Sequence, residues 1–485
     1  MSTRRGGMES NLSRRSFFNR AVDGLQGTAL AYLLGNDLYN ANPAFAAGAP
    51  RIYDLKAKPP QHKPRAKSII QLFMNGGPSQ VDLFDPKPAL LKYAGQPPSR
   101  DLASEVRAVR ETGGLMPSPY KFAKHGQSGI EVSEILPHLA TCVDDMAVIR
   151  SMFTTHLAHE AALFLMHGGR ILPTRPSLGA WVTYGLGSEN QNLPAYVVLD
   201  DPKGPPINFI QNWQAGWLPA VYQGTRVHSE GAPILNLNAK QEYPSEVVKL
   251  SRNLLRSMDQ AHQQQRAGNV ELEARIANYE LAARMQLAAT DALDLTKESR
   301  ATKEMYGLEE ERTASYGRRC LMARRLVERG VRLVQVYIES QIWDNHTQIR
   351  KGLDYACGKT DKPAAALLKD LKQRGLLDDT LVVWGGEFGR LPIAQDPGPN
   401  AGRDHGPSGF SVWMAGGGIK GGTVYGSTDE IGYRAAENPV SIHDFHATIL
   451  HLLGMNHRNL VFEREGRSER ITDEFPARIL EPIIS

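Results

Sequence analysis

Three short stretches of the 485-residue chain carry side chains that hold metals or move protons, two of them beside glycines. Trp343-Asp344-Asn345-His346 sets an Asp and a His two apart, and alternate residues of an extended chain point the same way. Gly385-Gly386-Glu387-Phe388-Gly389-Arg390 delivers a carboxylate and a guanidinium through glycines, and Asp404-His405-Gly406 adds a second Asp and His. Each stretch taken singly also reads as a polar loop or a surface ion pair. Together, Asp344, His346, Glu387, Asp404 and His405 form a mixed nitrogen and oxygen set, which suits a divalent zinc, manganese or iron ion better than calcium.

Thr154-Thr155-His156-Leu157-Ala158-His159-Glu160 leads into a helical pattern reaching His167. If the helix starts this early, His156 shares a face with His159 or Glu160, and hydroxyls at its N-terminus face an anion. The competing reading is capping by Thr154 or Thr155, with the histidines in solvent. Asn75-Gly76-Gly77-Pro78-Ser79-Gln80-Val81-Asp82 offers Asn, Ser and Asp oxygens beside glycines that admit a ligand to the backbone, or is simply a Gly-rich turn. Ser441-Ile442-His443-Asp444 reads as a capped helix start, with His446 one turn beyond His443.

These stretches need a scaffold that brings them to one rim. Apolar, β-branched runs at 68–74, 147–150, 195–199, 331–338, 381–384 and 410–415 read as strands. Amphipathic stretches at 312–329, 363–374 and 443–453 alternate with them, which argues for a mostly parallel sheet with helices on both faces. In such a sheet ligands sit beyond the carboxyl ends of the strands, where four of the six motifs fall. The segment 245–300 is rich in Gln, Glu, Arg, Ala and Leu, and reads as two long helices joined near Gly268. A solvated hairpin packed on the sheet and a partner-binding arm are both consistent with that composition. The loops at 85–129 and 200–233 are long and rich in Pro and Gly, as loops covering a site often are.

Residues 1–46 read as an address. Ser13-Arg14-Arg15-Ser16-Phe17-Phe18 has the twin-arginine pattern, followed by a weakly apolar segment and Ala44-Phe45-Ala46, a small-x-small cleavage signal. The expected course is export of folded cargo by the twin-arginine translocase to the periplasm or the exterior, with a Pro- and Lys-rich linker at 47–67 before the domain at 68–485. The most hydrophobic early stretch, 29–35, is too short to span a bilayer, and with Asp23 before this weakly apolar run the segment is either cleaved or kept as an anchor. The formal charge of +4 drops to about +2 without the first 46 residues, which gives no case for nucleic acid. Three cysteines, Cys142, Cys320 and Cys357, show no CxxC spacing and no disulfide framework, although one bridge is open to them.

The run 375–390, the segment from Gly402 to Pro407 with the glycines after Ala415, and the closing helix at 441–454 resemble the alkaline phosphatase and sulfatase superfamily. More narrowly, the twin-arginine start and the motifs at 76–82, 343–346, 386–390 and 404–406 are similar to an exported bacterial family known as a domain of unknown function. The superfamily likeness implies a first metal position made by Asp344, His346 and His405. It implies a poorer second position, with Glu387 for an expected aspartate, Phe388 for its neighbour and Asn75 for a first-strand carboxylate, so one ion is expected. His443 completes the metal candidates, and Thr155, His159, Glu160 and Arg390 are the catalytic ones. No Cys/Ser-x-Pro-x-Arg pattern marks a formylglycine sulfatase. The resemblance thus implies a metal-dependent hydrolase of a phosphate or sulfate ester, with Glu387 helping or acting as base, Arg390 steadying the anion, and Thr155 or a water attacking. The rival is a non-catalytic relative that binds a glycan, an anion or an exported protein.

Overall fold

The computed structural model describes residues 54–98, 113–230, 234, 243–266, 269–396 and 398–485. The signal segment at 1–46, the first part of the linker and Gly268 lie outside the described residues. Apart from three short two-stranded hairpins, the strands are β1 (Ser68–Phe73), β2 (Met146–Phe153), β3 (Tyr196–Leu199), β4 (Thr225–Val227), β5 (Leu333–Tyr337), β6 (Thr380–Gly385), β7 (Gly389–Ala394), β8 (Arg403–Gly406), β9 (Phe410–Ala415), β10 (Thr423–Tyr425) and β11 (Val440–Ser441). The main helices are α1 (His159–Gly168), α2 (Leu178–Leu186), α3 (Ser245–Gln264), α4 (Val270–Leu293), α5 (Glu311–Glu328), α6 (Ile349–Gln373) and α7 (Ile442–Leu452).

One sheet runs in the order β10-β2-β9-β6-β1-β5-β3-β4, with β11 also beside β2. β9 is antiparallel to β2 and β6, and the other pairs are parallel. The expectation of a mostly parallel sheet therefore holds. Central β1 is buried along its whole length, and its alternation feeds two cores. Ile70 and Leu72 join the residues under α5 and α6, among them Leu321, Leu353 and Leu367. Ile69 and Phe73 join those under α1, α2 and α7, among them Leu163, Trp181 and Phe445. Each such aliphatic or aromatic side chain contributes about 1.5–3 kcal/mol by leaving water.

The loop expected at 85–129 holds a short helix, Pro88–Lys92, and the strand Phe122–His125, and three other elements also differ from the sequence reading. The helix expected at 363–374 begins at Ile349, with Pro363 inside it. Leu353, Ala356 and Thr360 before the proline and Ala364, Leu367 and Leu371 after it are buried on one continuous face, and that packing outweighs the roughly 3 kcal/mol penalty of an interior proline. The loop expected at 200–233 contains β4, a three-residue strand whose central Arg226 pairs with Asp200 at 2.5 Å, too short and polar to show a period. Of the two helices at 245–300, α4 packs against α5 and the turn at Ala220–Tyr222, whereas α3 buries only His262 among its described side chains.

The expected linker is not free over its described part. Lys58 and Arg65 donate backbone hydrogen bonds to Leu186 and Leu452, closing the chain over α2 and α7. All three cysteines are free and buried, and no helix among the described residues is long and apolar enough to cross a membrane.

Candidate functional site

The carboxyl ends of β1, β5 and β6 adjoin, so the loops that follow them meet. They meet backbone to backbone. Gly76 has a φ of 104°, and a Cβ there would lie 2.7 Å from the Asp344 amide nitrogen, so no larger residue fits. Buried Trp343 pins the loop after β5 by donating its amide to Asn75 O at 3.3 Å and by edge contact with Trp384. Asp344 and His346 converge as expected, although not through extended chain. Asn345 N bonds Trp343 O at 3.0 Å and His346 N bonds Asp344 O at 3.3 Å, so the backbone curls tightly and turns both side chains inward.

Asp404 and His405, expected in a loop, lie in β8, which pairs antiparallel with β7 in a separate ribbon. His405 sits opposite Arg390, and the register shifts between Arg403 and His405; such irregularities re-aim side chains. The ribbon is anchored by Arg403, fully buried and bonded through two nitrogens to Asp82 at 2.8 and 3.0 Å. Asp82 also accepts from Ser79 Oγ at 2.5 Å, so the oxygens expected near a ligand serve as an anchor.

The result is a compact cluster. Asp344 Oδ1 lies 2.9 Å from His346 Nε2 and 3.2 Å from His405 Nε2, and those two nitrogens are 3.0 Å apart. His405 Nδ1 is 2.6 Å from Leu157 O and His346 Nδ1 meets Gln395 Oε1; both acceptors fix Nδ1 as the donor and leave the Nε2 lone pairs aimed at each other. Asp404 Oδ1 is 3.7 Å from His346 Nδ1. His159 bridges the site, with Nδ1 2.6 Å from Glu387 Oε1 and Nε2 3.4 Å from Asp344 Oδ2. Glu387 is fully buried and also accepts from Gly76 N at 3.0 Å. Neither Gln395 nor Leu157 was legible as a site residue: one is an ordinary loop amide and the other contributes only its carbonyl.

Burial raises the Asp344 carboxyl, yet His159, His346, His405 and Arg390 hold it well below the usual carboxylate range. Burial works against a charged His159, but Asp344 and Glu387 push it up to about 9. The bond to Asp344 likewise raises His346.

These residues fit a divalent ion. Ligands at about 2.0–2.1 Å from a tetrahedral ion lie roughly 3.3 Å from one another, close to the observed triangle of Asp344, His346 and His405. Two neutral imidazoles cannot rest with lone pairs 3.0 Å apart unless a proton or a metal lies between them. Asp344 and His405 also lie within 4.8 Å, by one donor atom each, of His159 on one side, and His405 of His346 and Asp404 on the other. Glu387 Oε2, Asn75 Oδ1 and Thr154 Oγ1 are buried without a partner.

Other expected residues fall elsewhere. Arg390 does not face an anion: fully buried, it donates to Gly77 O at 3.0 Å, Arg403 O at 3.2 Å, Gly76 O and Asp344 Oδ1, the last at 2.5 Å. It positions Asp344. His443 is outside the cluster, with Nε2 2.8 Å from Gly169 O and its ring stacked on Phe475. Asn75 uses its Nδ2 to hold Ile338 O at 2.6 Å. α1 starts at His159, so His156 precedes the helix and shares no face with it. Thr155 and Glu160 are exposed, and among the described residues no hydrogen bond ties either side chain to the cluster.

A family model described as Protein of unknown function (DUF1501) matches residues 66–484. No curated protein matches the chain in sequence. Among solved structures it is similar to a sulfatase from Pseudoalteromonas sp., at 12% identity and a TM-score of 0.34, covering 81% of this chain and 68% of that one. A phosphonate monoester hydrolase from Silicibacter pomeroyi is similar at 11% identity and 0.32, covering 72% and 71%. Alkaline phosphatase from the Antarctic bacterium TAB5 is similar at 10% identity and 0.31, covering 76% and 96%.

Proposed function

We propose, from the premise that this chain belongs to the DUF1501 family of proteins of unknown function, that it is an exported hydrolase of a phosphate or sulfate ester and depends on one divalent ion. The observation that carries the reading is the triangle of Asp344 Oδ1, His346 Nε2 and His405 Nε2, with edges of 2.9 to 3.2 Å and both histidine Nδ1 atoms already committed. Asp344, His346 and His405 would hold the ion, with Asp404 and Glu387 beside them. A divalent ion there supplies Lewis acidity toward an ester oxygen.

The chain's own residues arrange the rest. Arg390 fixes Asp344, and its burial excludes water behind the carboxylate. His159 carries a proton between Glu387 Oε1 and Asp344 Oδ2. The N-terminus of ten-residue α1 opens at His159 and favours an anion beside the cluster. Thr155, exposed just before the helix, or a water would attack. The ester class rests on the sequence resemblance, and export on Arg14 and Arg15.

One observation favours the rival, a non-catalytic binder of a glycan, an anion or an exported partner: Arg390, expected to steady the anion, spends its donors on the protein. Elemental analysis of the purified folded protein, beside a broad screen of phosphate and sulfate esters, separates the readings. Near one divalent ion per chain with turnover supports the hydrolase. An ion without turnover supports the binder, and a chain that takes up no ion refutes the metal site.

A further inference from the structure

At the far end of α1 from His159, about 15 Å along a ten-residue helix, lies a cavity of about 830 Å3. Its wall carries five arginines, Arg170, Arg175, Arg464, Arg467 and Arg470, together with Trp217. Three acids, Glu469, Asp473 and Glu474, share the wall and leave it positive. Two of them are committed: Asp473 to Arg170, and Glu469 to Arg175 at 3.3 Å. Arg464 has Glu465 at 3.0 Å, whereas Arg467 and Arg470 have no carboxylate partner among the described residues.

The hairpin formed by Phe462–Arg464 and Arg467–Glu469 supplies a second observation. Glu465 and Gly466, with φ of 50° and 75°, make a two-residue turn that places Arg464 directly opposite Arg467. Like charges in that position destabilise a hairpin, and nothing in the turn or the core requires them. Arg175, only 9% exposed, forms the floor: its charge is already met by Glu469 at 3.3 Å and Asp473 at 3.8 Å, and its guanidinium lies 5.9 Å from the Trp217 ring. An anion in the cavity would offset the paired like charges of Arg464 and Arg467.

We propose that this cavity is a second binding site, taking a carbohydrate that bears sulfate or phosphate ester groups. The volume exceeds what one oxyanion fills and lies within the range of ligand pockets, and exposed Leu172 with the edge of Trp217, itself half-buried against Trp181 and Phe462, gives the polar wall a small apolar side. The arginines meet ester oxygens in bidentate geometry. The site shares no residue with the metal cluster and stands independently of any hydrolysis there.

Calorimetric titration of the full chain tests this, using a sulfated hexasaccharide, a phosphorylated one, the unsubstituted sugar and inorganic sulfate. The first or second should bind one per chain, weaken as salt is raised and be indifferent to EDTA, while the unsubstituted sugar does not bind. The relative affinity of the first two names the ester. Arg464→Ala with Arg467→Ala, both exposed, should weaken binding at least about tenfold. The equally charged control Lys121→Ala with Lys124→Ala, at the hairpin of Phe122–His125 and Ile130–Ser133, should change it less than about twofold. Binding undiminished in the arginine variant overturns the proposal. So does failure of both ester sugars to bind, equal binding of the unsubstituted sugar, or a preference for anionic phosphatidylglycerol vesicles over both sugars.

Discussion

Replacing Arg390 with Met keeps the length and apolar stem of the side chain and removes its charge and donors. The guanidinium is fully buried and bonds three carbonyls, of Gly76, Gly77 and Arg403, as well as Asp344. Breaking a buried ion pair by removing one partner costs about 3–5 kcal/mol. Each carbonyl left unpaired adds about 1 kcal/mol. Asp344 keeps His159, His346 and His405, which recovers part of the first figure. The expected destabilisation is therefore about 4–6 kcal/mol, a large share of the 5–15 kcal/mol that holds a domain together. Urea unfolding of parent, Arg390→Met and Arg390→Lys measures it, since lysine restores charge but not the planar fork. The lysine variant should fall between the other two. Metal affinity should drop by about 10–100-fold in the methionine variant, the effect of losing a group that orients a ligand. A methionine variant within about 1 kcal/mol of the parent, with unchanged metal uptake, would refute the positioning role.

Further outcomes follow from other parts of the molecule. His405→Ala should lower metal occupancy sharply while circular dichroism and the unfolding midpoint hold, because a partly exposed ligand is removed without opening the core; unchanged occupancy would exclude His405 as a ligand. Burial pushes His167 and His446 down to about 3, so below the ordinary value near 6.5 the unfolded chain binds protons that the folded one does not. Stability should then fall as pH drops from about 6.5 toward 3, by about 2 kcal/mol per histidine at pH 5, and a melting temperature indifferent to pH between 7 and 5 would contradict this. Amides of α4, which packs on α5, should resist hydrogen exchange more than those of α3, and equal protection would show that α3 is held by more than its neighbour. Replacing Arg14 and Arg15 with lysine should leave precursor in the cytoplasm, and undiminished export would exclude the twin-arginine route.

The scaffold was legible because strands such as Ser68–Phe73 and Leu333–Tyr337 are fully buried on both faces and appear in sequence as short runs of mostly apolar residues, each broken only by the glutamine, Gln71 or Gln335, that bonds its counterpart across the strands. The places of Asp344, His346, Glu387 and His405 were legible because Asp, Glu and His fall in short polar stretches beside the predicted strands, with a glycine next to Glu387 and His405. Roles were harder to read than places. Arg390 looks like an anion binder until its surroundings are known, because only the fold surrounds it with the carbonyls of Gly76, Gly77 and Arg403. β8 was hidden because Arg403-Asp404-His405-Gly406 is polar, and it forms a strand only where β7 offers it an edge. His443 resembled a ligand by type and position near a helix start, yet α7 turns it toward Gly169.

The order of strands also decides when the chain can first protect itself. β1 is the earliest of the described strands, but its neighbours on both sides, β5 and β6, begin at residues 333 and 380. At translation rates of about 5–20 residues per second, Ser-Ile-Ile-Gln-Leu-Phe emerges from the ribosome roughly 10–50 seconds before either neighbour exists. Throughout that interval it is an apolar segment with two unpaired edges, a ready template for association with other nascent chains. A chaperone on the growing chain would cover that segment until its neighbours arrive. Overexpression without one should yield inclusion bodies seeded by the first strand rather than by the late metal loops.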